Sequence, residues 1–193
     1  MIDFQNVQKL VVDKLSQLNP NLTYHCLEHT LDVLEQCKRI ASDENITNTR
    51  SLTLLKVAAL YHDTGFLHTY SLHETKSCEI FLLDAKDFAL TSLEKQLITD
   101  LIMVTQIPQL PETLLQKIIC DADLDYLGRD DFFSIGDNLR QEFLYYKVVS
   151  SDQQWDNLQV KFLQNHSYHT RSSQKLREPF KQSNISKLPK QTM

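Results

Sequence analysis

The stretch Leu52-Thr53-Leu54-Leu55-Lys56-Val57-Ala58-Ala59-Leu60-Tyr61-His62-Asp63-Thr64-Gly65 is apolar on almost every side until an imidazole and a carboxylate follow one another. A segment this apolar reads as a buried helix rather than a surface one. Gly65 reads as its stop. Two ionisable groups at the end of a buried helix are costly unless something pairs with them. A neighbouring His and Asp offer one nitrogen and one oxygen donor, a mix suited to borderline divalent metals. An isolated His-Asp pair is weak evidence for a metal, so the other segments must supply the remaining donors.

The 193 residues are 41% hydrophobic and 23% charged, a composition that suits one domain with a real core. A formal charge of −5 argues against bulk nucleic-acid binding, which uses a strongly basic face. No apolar run approaches a membrane span, and Met1-Ile2-Asp3-Phe4 does not open a signal peptide, so the expected location is the cytoplasm. Cys26, Cys37, Cys78 and Cys120 form no CxxC pair and read as free thiols rather than disulfides.

With only three glycines and long 3.6-residue periodicities, the chain is expected to be all-α. Helices are expected over residues 3–18, His25 to Ala41, the stretch ending in His62-Asp63, and from Ser71, where Ser71 and Glu74 form a capping-box pattern. A second such box, Thr91 with Glu94, opens a fifth helix reaching about Gln106. A sixth runs from about Glu112 through the acidic run to Gly128, and two more cover Asp130 to Val149 and Ser151 to Gln164. The basic segment from 171 onward reads as a solvated helix with a frayed end. Val33, Leu60 and Ile119 are expected in the core.

Tyr24-His25-Cys26-Leu27-Glu28-His29 places two histidines at i and i+4, the spacing at which one helix face offers two imidazoles to one site. In Asp121-Ala122-Asp123-Leu124-Asp125 three carboxylates alternate with apolar residues, and no Lys or Arg lies among them. Like charges beside a buried run need cations, and a metal would supply them.

This ordered pattern of a His, an adjacent His-Asp and a later Asp resembles the HD-domain superfamily of metal-dependent phosphohydrolases, from about Tyr24 to Gly128. Asn165-His166-Ser167-Tyr168-His169-Thr170-Arg171 further resembles a C-terminal signature of a predicted-phosphohydrolase branch. The resemblance implies an α-helical bundle and a divalent ion held by His29, His62, Asp63 and Asp123, the last preferred over Asp121 for its Ala-Asp-Leu context. Tyr24-His25 is similar to the Tyr-His of cyclic-nucleotide phosphodiesterases, which makes His25 a candidate acid, although Cys26 stands where those enzymes have Asn. His73 resembles a further histidine of two-metal members. The next one expected is Thr105, which argues for one metal, and the capping box is preferred as the account of Glu74. Phe66 replaces a lysine common in the family, so Arg129 and Arg171 are candidate substrate contacts.

The implied activity is hydrolysis of a small-molecule phosphate ester, nucleotide-like, by metal-activated water, with Asp63 or a histidine such as His73 taking the proton. Mn, Fe, Co, Ni, Mg and Zn all suit such a set. A non-catalytic metal- or nucleotide-binding signalling module is the alternative, with a two-iron oxygenase further behind. Association into a homo-oligomer stays open.

Overall fold

The computed structural model describes residues 2–189, and among them the chain folds as an all-α bundle of nine helices with no strand. The helices are α1 (Phe4–Leu15), α2 (Leu27–Asp43), α3 (Thr49–Tyr61), α4 (His73–Asp84), α5 (Ser92–Met103), α6 (Leu114–Asp123), α7 (Phe132–Tyr145), α8 (Asp152–Asn165) and α9 (Arg171–Lys187). Two 3₁₀ turns, Thr64–Leu67 and Asp125–Gly128, follow α3 and α6.

Helix α3 is the hub, as its composition demands. Val57 through Tyr61 are fully buried, and α1, α2, α5 and α6 pack around it. Val33 and Ile119 join Leu60 in the same core, as expected. A second cluster, built on Tyr24, Leu127, Phe132, Leu163 and Tyr168, ties the last three helices to the far side of α6. Helix starts follow their capping residues: Thr91–Glu94 and Thr113–Gln116 make complete capping boxes, and Asn48, Ser151 and Thr170 each accept a first-turn amide.

Several boundaries differ from the sequence expectation, and each difference has a physical cause. Helix α3 ends at Tyr61, and Gly65 plays no left-handed stop, since no glycine has positive φ. Its role is close approach: a Cβ there would stand 2.0 Å from the His73 carbonyl oxygen. The Ser71–Glu74 capping box does not form. Helix α4 starts at His73 after Leu72 at φ 54°, and Glu74 is turned inward. At the other expected helix start, Cys26 is the extended N-cap of α2, which leaves His25 outside the helix. The acidic run breaks at Leu124.

That break sends the three acids in three directions. Asp121 accepts the His169 and Thr170 amides, each at 2.8 Å, and so anchors the entry to α9. Asp125, with no exposed side chain, takes Arg39 at 2.6 Å and Arg177 at 2.8 Å, with Arg129 3.9 Å away. The cations missing from its sequence neighbourhood thus arrive from α2 and α9, and a metal is not needed there. The basic C-terminal segment is correspondingly not a solvated helix through Lys187. Arg177 neutralises Asp125, and Lys181 is 1% exposed, donating to the His166 carbonyl at 2.5 Å. The final residues 190–193, expected to fray, lie outside the described residues.

Removing one member of a buried ion cluster leaves the others unpaired. Asp125→Ala is expected to cost about 3–5 kcal/mol in urea unfolding, whereas Asp131→Ala on the exposed side of Arg129 costs under about 1 kcal/mol. Equal effects would show that Asp125 does not hold α9.

Candidate metal centre

Three polypeptide turns deliver the donors to one point. His29 lies in the first turn of α2, His62 and Asp63 follow the last turn of α3, and Asp123 ends α6. Helix ends place these groups at the rim of the apolar core, where they are buried yet reach a cavity. His29 Nε2 lies 3.4 Å from Asp63 Oδ2 and 3.3 Å from Asp123 Oδ1. His62 Nε2 lies 3.1 Å and 3.6 Å from the same two oxygens. The structure therefore brings together all four residues that the motifs single out.

The donors are also prepared. The Nδ1–H of His62 donates to the Ala59 carbonyl at 2.9 Å, which leaves the Nε2 lone pair facing the carboxylates. Gln109 Nε2 donates to Asp123 Oδ2 at 3.1 Å, leaving Oδ1 for the centre. His29 Nε2, His62 Nε2 and Asp63 Oδ2 are buried without a hydrogen-bond partner among the described residues. Buried polar atoms without partners are rare and costly, and three that face one another fit a shared cation. His29, His62 and Asp123 can each offer an atom within 4.8 Å of the others, and Asp63 Oδ2 completes an N₂O₂ set.

Electrostatics agree with a site made for positive charge. Burial presses the His29 imidazolium down, but the Asp123 and Asp63 carboxylates outweigh it and lift the group to about 9. Burial raises Asp123, and His29 with His62 overcomes that to hold it at about 2. Asp63 is held well below the usual carboxylate range in the same way.

Around the donors sits a second layer. His25 Nδ1–H donates to Glu142 Oε1 at 2.5 Å, and Glu142 also accepts the amides of Tyr24 and His25 and the Tyr70 hydroxyl. Burial pushes the Glu142 carboxyl up, and these donors more than offset it, so Glu142 stays ionised. His73 Nε2 lies 3.3 Å from Asp63 Oδ1 and 3.5 Å from Glu74 Oε1. Phe66 stacks on the rings of both His25 and His73, with centroids 4.2 Å and 4.0 Å away. The residue at the position of a family lysine is thus a shared packing surface for two histidines. Thr105 lines the same cavity, with its hydroxyl donated to the Ile102 carbonyl.

Of the two candidate arginines, Arg129 lines a depression shared with His29 and Asp123, where Asp32 at 2.6 Å and Asp131 at 2.5 Å hold its guanidinium. Arg171 is exposed at the start of α9 beside Glu44. Sequence reading also missed Glu142, Tyr70 and Gln109: Glu142 lies 117 residues from His25, Tyr70 lies 72 from Glu142, and Gln109 lies 14 from Asp123. No local pattern marks such partners. All four cysteines are free, as expected.

The HD domain family model matches residues 26–125, just over half of the chain, and spans every donor of the centre. The protein belongs to the HD-domain family, whose members bind divalent metals. No curated protein and no solved structure matches the chain. No described helix is long and apolar enough to cross a membrane.

Wild-type protein is expected to carry about one divalent ion per chain by elemental analysis, and Asp63→Ala none, since the donor set becomes incomplete. Gln109→Ala, which frees Asp123 to turn, should weaken metal affinity about 10–100-fold. Full occupancy in Asp63→Ala would refute the assignment.

Proposed function

We propose that this protein is a metal-dependent phosphohydrolase that cleaves a small phosphate ester of the nucleotide type. The observation that carries the reading is the meeting of His29, His62 and Asp63, three unpartnered buried donors, with Asp123 at the wall of an open cavity. A divalent ion held there supplies positive charge to a phosphoryl oxygen and lowers the pKa of a water.

The chain's own residues divide the remaining work. His25 is the general acid. Glu142 fixes the ring through Nδ1–H, so that Nε2 is the atom that carries the proton to the leaving oxygen. The ring stacks on Phe66, which limits its rotation. The proton released by the attacking water passes to the Asp63–His73 pair, joined at 3.3 Å. Tyr70, bonded to Glu142 at 3.0 Å, helps keep that carboxylate in place.

Purified protein supplied with divalent metal is expected to hydrolyse a chromogenic phosphodiester or members of a nucleotide panel. His25→Asn should keep the metal and lose about 10²–10⁴-fold in turnover, with a smaller loss on esters whose leaving groups need no proton. Glu142→Gln, which removes the carboxylate that holds the His25 ring, should lower turnover and leave metal content unchanged. Loss of metal in His25→Asn would make it a ligand instead. Metal binding without hydrolysis of any ester would favour a signalling module.

A further inference from the structure

Three of the four donors are fixed from within the segment that the family model matches. His29 stands on α2. The turn carrying His62 and Asp63 is tied to α4, where Ser77 Oγ donates to the His62 carbonyl at 2.7 Å and accepts the Gly65 amide at 2.8 Å. Asp123 is different. It is the last residue of α6, two residues before the matched segment ends. Gln109 touches its side chain, but the backbone around it is gripped from beyond that segment.

The grip falls on both sides of Asp123. Upstream, the Asp121 carboxylate accepts the His169 amide at 2.8 Å and the Thr170 hydroxyl at 2.6 Å. Downstream, the buried Tyr168 hydroxyl is shared between the Leu124 and Asp125 carbonyls, each at 3.3 Å. Carbonyls at a helix end have no partner within the helix, so an outside donor fixes where they point. Arg177 then holds the Asp125 carboxylate at 2.8 Å. Tyr168, His169 and Thr170 belong to the stretch 165–171, which neither the donors nor the acid–base groups use. Helix α9 continues that stretch, and its buried residues are all polar: Ser173, Lys181 and Asn184. An element with so little apolar burial opens locally before the whole protein does.

We infer that residues 166–177 are a clamp that positions Asp123 for the metal, and that metal binding and docking of this segment strengthen each other. Tyr168 and Thr170 are positioning residues, acting on the metal through Asp123. Partners that orient a ligand change metal affinity by about 10–100-fold. Linkage makes the effect reciprocal: the factor that docking adds to metal affinity, the metal adds to docking. Opening of the segment thereby favours metal release. The clamp rests on the metal centre and not on the hydrolytic reading, so absence of hydrolysis leaves it standing.

The full chain would be stripped of metal and its Mn²⁺ affinity read by competition with a chromogenic chelator. Tyr168→Phe and Thr170→Val each delete a hydroxyl and should weaken Mn²⁺ binding about tenfold or more. Ser151→Ala, whose hydroxyl accepts the Gln154 amide at the start of α8, should lower the melting temperature and leave the affinity unchanged. Thermal melts identify a variant that fails to fold, and the other hydroxyl variant then decides. In wild type, Mn²⁺ should slow hydrogen exchange across 166–177 about tenfold or more beyond its effect on α5, and in Asp63→Ala it should not. Wild-type affinity in the folded hydroxyl variants, or an equal loss in Ser151→Ala, would overturn the clamp. So would exchange across 166–177 that ignores Mn²⁺, or a uniform slowing over every helix, which marks global stabilisation alone.

Discussion

Two imidazoles and two carboxylates face one another at 3.1–3.6 Å with three of their atoms lacking any hydrogen-bond partner, and the rest of the molecule is arranged to hold that arrangement in place. Such a cluster would relax outward if its backbone were free, because unmet polar atoms gain by reaching water. It does not, because each donor sits at the end of a helix locked in the main core. Helix α3 has no solvent-facing side over its last turn, and α2 and α6 pack against it. The cost of the polar cluster is borne by apolar burial around α3, and a bound cation would return much of it.

The acidic run around Asp123 shows how one short segment serves three separate ends. Its break at Leu124 gives each carboxylate a different neighbour: the α9 entry for Asp121, the metal centre for Asp123, and the buried arginines for Asp125. Only the middle acid lacks a fixed cation or amide pair of its own, with Gln109 touching the oxygen turned away from the centre. Helix α9, though basic and poor in apolar residues, is therefore part of the scaffold of the site. It packs on the second 3₁₀ turn, and glycine is needed at Gly128 because a Cβ there would run into the Arg177 carbonyl.

His25 and His73 take different carboxylate partners, and Phe66 packs against both rings. The two imidazoles lie 6.0 Å apart, and one is hydrogen-bonded to Glu142 while the other faces Asp63. In the proposed hydrolysis, that difference in partners would let one histidine give a proton while the other receives one.

The all-α class, the buried character of α3, the Thr91 and Ser151 helix starts and the four central donors were all legible in the chain alone. The reason is that each rests on a local signal: periodicity, a capping residue, or a short motif whose members are adjacent. Partnerships across the chain were not legible. Glu142 beneath His25, Arg39 and Arg177 around Asp125, and the inward turn of Glu74 depend on which helices meet, and packing sets that. A glutamate in a helix looks the same in sequence whether it faces water or holds a histidine. Only its tertiary neighbours, by removing water from one side and offering donors on the other, decide which it does.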